Sequence, residues 1–176
     1  MARRKSSARS SSRARMPVAK TYKLYIDGKF PRSESGRYYP LQRGSDAVIA
    51  NVCRGSRKDF RDAVVAARNA CAAWSQASAY LRGQILYRIA EMLEGRRAQF
   101  AAELTLQGVA RRSADGEVTA AIDRLVYYAG WADKWDGRVH ATAFRNVTLA
   151  MHEPVGVMGA VCPDERPLLA GVSILG

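Results

Sequence analysis

The sequence has few of the groups from which metal and redox sites are built. It carries three cysteines and two histidines in 176 residues. Cys53, Cys71 and Cys162 lie far apart and are odd in number, which matches neither a disulfide framework nor a CxxC metal pattern. That usage points to a reducing compartment. His140 and His152 are too isolated to suggest ligand spacing, so no metal site is expected. No apolar run approaches the roughly 18 residues that a membrane span needs. There is no internal repeat and no GxGxxG dinucleotide fingerprint.

Acid is also missing from the beginning of the chain. Arg3, Arg4, Lys5, Arg9, Arg13 and Arg15 supply half of the formal net charge of +12, and the first carboxylate is Asp27. Residues 1–20 are Ser, Ala and Arg with little to bury, a composition that favours disorder. A solvated tail is the simplest reading, with Met16 as an alternative start. The stretch also resembles an organelle leader, although its apolar content is low for an amphipathic face. Nucleic-acid binding is the weakest reading, because no aromatic residues are interleaved for base stacking. The rest of the chain is only modestly basic, and a cytoplasmic location is expected unless the leader acts as a targeting signal.

What is present supports one ordinary α/β domain with a sizeable core, at 48% hydrophobic residues. Residues 21–53 read as a small antiparallel unit. Tyr22–Ile26 alternates, Asp27-Gly28 is a hairpin turn pair, and Lys29-Phe30 returns. Arg37–Tyr39 and Val48–Val52 add two short strands. Residues 54–137 read as four helices. The first is opened by a Ser56/Asp59 capping box, with Phe60, Val64, Ala67, Cys71 and Trp74 as its apolar stripe. The second starts after Ser78, with Leu81, Ile85, Ile89 and Leu93 on one face, and ends at Gly95. The third runs from about Arg96 through Phe100 and Leu104 to Gly108. The fourth carries Val118, Ile122, Leu125, Val126 and Ala129, and Gly137 stops it. Tyr127, Tyr128, Trp131 and Trp135 have the makings of a ligand-stacking cluster, but helical spacing beside an apolar stripe favours packing. Cys71 reads as a small core residue.

Residues 138–176 carry the stretch around which the rest is arranged. After a strand at Val147–Met151, Val155–Cys162 reads as a strand buried on both faces, closed by Pro163. Pro167 then reads as the first turn of a helix, whose N-terminal amides would favour an anion or a polarised substrate. Cys162 closes the strand and reads as a core residue.

Several blocks, taken together and in order, resemble the amino-terminal portion of the aldehyde dehydrogenase superfamily. They are Leu24–Phe30 (LYIDGKF), Ala66-Ala67-Arg68, Arg82-Gly83 with Leu86, Tyr127–Lys134 (YYAGWADK) and His152–Val157 (HEPVGV). The resemblance runs from about Tyr22 onward. It implies an incomplete aldehyde-dehydrogenase-like fold: a hairpin, a helical region and the first strand of a parallel dinucleotide-binding sheet. It also implies NAD(P)-dependent oxidation of an aldehyde through a cysteine thiohemiacetal, in dimers or tetramers, homomeric or shared with other family subunits.

One departure stands out. The family motif Pro-Trp-Asn-Phe-Pro is replaced by Pro163-Asp164-Glu165-Arg166-Pro167. The resemblance puts Glu165 at the asparagine that donates to the oxyanion, and puts Cys162, Pro163, Asp164 and Glu165 beside the NAD or NADP site. An ionised carboxylate only accepts hydrogen bonds. Losing one oxyanion donor costs roughly 3–4 kcal/mol of barrier, and two acids beside a pyrophosphate oppose its charge. The family's nucleophilic cysteine, its general-base glutamate and its ribose-binding residues correspond to positions beyond Gly176, and none of the three cysteines matches the nucleophile motif.

Three expectations follow. These residues are the amino-terminal portion of a family enzyme and do not catalyse alone; or they form a non-catalytic, regulatory or oligomerisation partner of an active paralogue; or they form a basic-tailed nucleic-acid- or organelle-associated protein. A buried strand lacking its neighbours further suggests self-association or poor solubility.

Overall fold

The computed structural model describes residues 18–43 and 47–176. The expected basic tail therefore lies outside the described residues as far as residue 17.

Three short strands, β1 (Lys20–Tyr22), β2 (Tyr38–Arg43) and β3 (Ala47–Cys53), form a sheet in the order β1-β3-β2. β2 and β3 are antiparallel, but β1 runs parallel to β3, with Thr21 opposite Asn51. The unit is therefore mixed rather than purely antiparallel. The Asp27-Gly28 turn forms as its residue types require. Both residues take positive φ, 54° and 70°, and Ile26 and Lys29 exchange backbone hydrogen bonds of 3.0 Å across it. Tyr25 and Phe30 pack across the same turn at 5.1 Å.

Four helices follow: α1 (Arg57–Gln76), α2 (Ala79–Gly95), α3 (Arg97–Leu106) and α4 (Arg111–Trp131). The Ser56/Asp59 box closes in both directions: Ser56 Oγ accepts from the Asp59 amide and the Asp59 carboxylate accepts from the Ser56 amide. Asp59 also accepts from the Ser33 hydroxyl at 2.7 Å and the Glu34 amide at 3.1 Å, which ties the 31–36 loop to the start of α1. Ser78 caps α2 through the Leu81 amide.

α4 is the central helix. Ala114, Val118, Ala121 and Leu125 are fully buried, at the three- and four-residue steps of one helical face. They meet Ala90 and Leu93 of α2, Ala101 and Leu104 of α3, and a final helix α5 (Pro167–Leu175) through Val172.

The packed face of α2 differs from the expected one. Leu81, Ile85 and Ile89 are exposed, whereas Gly83, Ala90 and Leu93 are buried, with Leu86 beside them. α2 has apolar residues on two sides, and the side bearing small residues lets α4 approach. A Cβ on Gly83 would sit 2.9 Å from the Ala129 carbonyl oxygen. On α4, Val126 likewise falls off the buried face. On α1, Phe60, Ala67 and Trp74 of the expected stripe are exposed, and Val64 and Cys71 are half-buried.

Beyond α4, β4 (Arg138–His140) pairs with β5 (Thr148–Ala150) in an antiparallel two-stranded ribbon. Val155–Cys162 is the main correction. It carries no strand pairing, and it is exposed, with Val155 91% and Val161 97% accessible. Cys162, expected in the core, is exposed. A strand satisfies its amides only through neighbours, and among the described residues none lies beside it. The α/β class itself stands. No helix of the described residues is long and apolar enough to cross a membrane.

Candidate functional site

The segment Cys162–Pro167 turns the chain from the extended run into α5. Pro163 cannot donate to a ladder, and Pro167 at the first position of α5 presets helical φ. Between them Arg166 adopts a left-handed conformation (φ 52°, ψ 57°) at the N-cap, and its side chain makes no capping hydrogen bond. Cys162, Pro163, Asp164 and Glu165 are all exposed on this turn. The four residues singled out in the sequence are thus brought together, as a solvent-facing acidic turn rather than the end of a buried strand.

The missing cap comes from elsewhere. Glu117, in the second turn of α4 and 2% accessible, accepts hydrogen bonds at one carboxylate oxygen from the amides of Leu168 (2.9 Å) and Leu169 (3.2 Å). A carboxylate at a helix N-terminus satisfies orphan donors and faces the positive end of the helix dipole. A second link joins the same helices: the Arg124 guanidinium donates to Ser173 Oγ at 3.0 Å, and that hydroxyl donates to the Leu169 carbonyl at 2.7 Å.

This changes the chemistry available at the turn. The first amides of α5 were expected to face an anion, yet two of them are already engaged by an internal carboxylate. Asp164 and Glu165 add two further acids at the same place. The sequence reading missed Glu117, although a signal exists: it lies three residues after Ala114 and one before Val118, an acid inside an apolar register.

The cysteines are dispersed. Cys53 is at the end of β3, opposite Tyr38, and lines a small hollow with Ser33 and Gly36; Cys71 is on α1; Cys162 is on the turn. No pair of them is bonded. His140 is on β4, and the His152 ring lies 5.2 Å from that of Trp135, tilted by 46°, while its Nε2 lies 3.1 Å from the Asp136 carbonyl oxygen. Among the described residues no three His, Cys, Asp or Glu side chains cluster as metal ligands.

The aromatic residues Tyr127, Tyr128, Trp131 and Trp135, in and just after the YYAGWADK block, depart from the packing role expected of them. Tyr127, Trp131 and Trp135 are exposed, and with Tyr128, Trp74 and Arg82 they line a cleft of about 540 Å³. A second hollow, of about 680 Å³, separates the β1-β3-β2 sheet from α3 and α5. It is spanned by a hydrogen bond from the Tyr22 hydroxyl to Glu103 at 3.2 Å.

Comparison with known proteins gives a consistent result. Residues 31–174 match the model of the aldehyde dehydrogenase family. The chain is 33% identical over 150 residues to an aldehyde dehydrogenase of Aspergillus niger, covering 83% of this chain and 30% of that protein. It is 36% identical over 159 residues to a mitochondrial benzaldehyde dehydrogenase of Antirrhinum majus, covering 87% and 30%. Among solved structures, a point mutant of Staphylococcus aureus betaine aldehyde dehydrogenase in complex with NAD+ superposes with a TM-score of 0.81 at 28% identity, over 85% of this chain and 31% of that one. A mutant aldehyde dehydrogenase of Bacillus cereus gives 0.82 at 28% identity, over 87% and 32%. The chain spans about a third of the length of these relatives.

Proposed function

Because the chain belongs to the aldehyde dehydrogenase family, we propose that it is the amino-terminal portion of an NAD(P)-dependent, aldehyde-oxidising type of protein, and that these 176 residues do not carry out the oxidation by themselves. In this reading residues 21–53 form the sheet and hairpin, 54–137 the helical body, and 138–176 the start of the dinucleotide-binding part, after a basic leader over 1–20. The helical body contributes shape and subunit surface rather than reacting groups.

The observation that carries the proposal is Glu165. It sits on an exposed turn in a Pro-Asp-Glu-Arg-Pro sequence, which by its resemblance to the family motif sets Glu165 against the family's asparagine. Developing negative charge on an aldehyde oxygen needs a donor, and a carboxylate offers none. The thiols reinforce the reading: Cys53 and Cys71 belong to the sheet and α1, and Cys162 lies exposed on the acidic turn.

The cofactor fits this turn poorly. NAD+ is bound by the Staphylococcus aureus relative. Here Asp164 and Glu165 would face the pyrophosphate with like charge, and Glu117 already occupies amides of α5. These residues of the turn therefore suit a dinucleotide pyrophosphate poorly.

The same departures favour a second reading, a non-catalytic family member that pairs with active family subunits. Exposed Val155, Val157 and Val161 would be shielded in such an assembly. A cytoplasmic location fits either reading, although the mitochondrial relatives keep an organelle open. Neither reading needs nucleic acid or a membrane.

The test is turnover. Purified chain is mixed with NAD+ or NADP+ and propanal, and absorbance at 340 nm is followed. No steady production of reduced cofactor is expected. Sustained production, with substrate acylating Cys53, Cys71 or Cys162, would overturn the proposal.

A further inference from the structure

One corner of the molecule gathers positive charge against two local rules of stability. The Arg54 amide donates to the Arg37 carbonyl at 2.9 Å, one step beyond the pair Tyr38–Cys53, so the two arginines stand opposite one another at the end of the β2–β3 ladder. Opposite residues of antiparallel strands share a face, and like charges there are destabilising. Arg57 and Lys58 are the first two residues of α1, where the helix dipole already presents its positive end. At the starts of α3 and α4 the chain compensates such cations: Arg97 pairs with Glu94 at 2.6 Å and Arg111 with Asp115 at 3.0 Å. Among the described residues Arg37, Arg54, Arg57 and Lys58, all exposed, have no ion pair.

The acids of the corner are engaged within the fold. Asp59, 8% accessible, accepts from the Ser56 amide and the Ser33 hydroxyl, and Glu34 accepts from the Ser56 hydroxyl at 3.1 Å. The same bonds hold the 31–36 loop, the end of the sheet and the start of α1 together. The sequence before β1 adds six more cations and no acid over residues 1–17. An apolar face invites a covering segment, but unpaired guanidinium groups resist one, because burying them is costly. The charge is set by residues 37–58 and owes nothing to α5 or to Gly176. Local rules broken without a structural return mark a functional surface.

Paired guanidinium groups suit phosphate, to which each fork donates two hydrogen bonds. Two tyrosines discriminate among phosphate carriers. Tyr38 and Tyr39 follow Arg37 on β2, an outer strand of the sheet, and are 60% and 50% accessible. Successive strand residues point to opposite faces. A bilayer meets one face at a time, whereas a flexible strand of nucleotides can pass over the edge, bases against tyrosine and phosphates against arginine. The leader lacks aromatic residues for stacking; the sheet that follows it supplies them.

We propose that the corner formed by Arg37, Tyr38, Arg54, Arg57 and Lys58 binds single-stranded nucleic acid without sequence preference. The binding is separate from the Cys162–Pro167 turn and depends on no oxidation step.

Fluorescence anisotropy of a fluorescein-labelled oligothymidylate of twenty nucleotides, titrated with the 176-residue chain at 50 and 200 mM NaCl, tests this. Binding should saturate with a Kd on the order of 10 μM or below at the lower salt and weaken at least about tenfold at the higher. Arg37→Gln with Arg54→Gln should weaken binding roughly tenfold and reduce the log–log salt slope by about 1.4, the share of two phosphate contacts on a single strand. Arg112→Gln with Arg145→Gln removes the same charge from exposed positions elsewhere and should stay within about twofold. Tyr38→Leu should weaken binding about fivefold with the slope unchanged, since stacking releases no counterions. The thermal midpoint of the Arg37/Arg54 variant should equal or exceed that of the parent, because a like-charge pair is gone. A lower midpoint would show that the two arginines serve the fold and would overturn the proposal. So would equal weakening by the Arg112/Arg145 variant, binding indifferent to Tyr38→Leu, or tighter binding to phosphatidylserine vesicles than to the oligothymidylate.

Discussion

The helices around α4 and the run Val155–Cys162 within the segment Met151–Arg166 are both rich in apolar residues, yet they end in opposite environments. Leu125 and Val118 have no accessible surface, while Val155 and Val161 are almost wholly solvated. A helix satisfies its own backbone and needs only one covered stripe, so α2, α3, α4 and α5 close a core among themselves. A strand needs partners for every amide as well as for its side chains. Val155–Cys162 has neither among the described residues, and its apolar residues gain nothing from being apolar. The lesson is that hydrophobicity sets a demand for burial, while the supply depends on which backbone groups can be paired.

The largest expected effect that would break this contrast is at Leu125. Leu125→Ala should destabilise the chain by about 2–5 kcal/mol, read as a lowered thermal midpoint. Val161→Ala should stay within about 0.5 kcal/mol. Similar losses at both positions would mean that the exposed run is covered in solution, by association or by another arrangement.

Glu117 ranks next, because it holds the first turn of α5, where the closed region resumes after the open segment. Glu117→Ala should cost about 1–3 kcal/mol by leaving the Leu168 and Leu169 amides without their acceptor, and amide exchange at those two residues should accelerate. Glu117→Gln keeps an acceptor oxygen and should recover part of the loss. Gly83→Ala should follow at about 1–2 kcal/mol: the added methyl meets the Ala129 carbonyl, and this outweighs the gain in helix propensity. If Gly83→Ala stabilised the chain instead, the close α2–α4 approach would be wrong.

A smaller effect sharpens the comparison at the sheet end. Hydrogen bonds from the Ser56 amide, the Ser33 hydroxyl and the Glu34 amide hold the Asp59 carboxyl at about 2, below its ordinary value of 3.8. A folded-state value lower than the unfolded one means that the stabilisation is complete above about pH 4 and is lost as pH falls through 2. Amide exchange at Glu34 should therefore quicken between pH 4 and 2 beyond the intrinsic trend, and Asp59→Asn should remove that extra dependence.

These regions also differ in how far they could be read in advance. The Asp27-Gly28 turn, the Ser56/Asp59 box and the Ser78 cap were legible because each is a local rule linking residue type to backbone geometry. The helical body was legible in number and approximate extent for the same reason. The packed face of α2 was not: Leu81, Ile85 and Ile89 look like a core stripe, but Gly83 and Ala90 decide which side α4 can reach. Val155–Cys162 has the composition of a buried strand, and composition carries no information on whether neighbours are present. Glu117 was overlooked because an acid in a helix reads as surface until the N-terminus it caps is located. The acidic turn at Glu165 was legible as a substitution through its resemblance to a family motif; its exposure was not.

Hydrogen exchange followed by mass spectrometry on the intact 176-residue chain tests the central claim most directly. Peptides from Ala114–Leu125 should stay protected for far longer than peptides from Met151–Arg166, which should exchange within seconds at neutral pH. Slow exchange across Val155–Cys162, comparable to that of α4, would show a paired strand and contradict the account of an open, acid-ended segment beside a closed helical body.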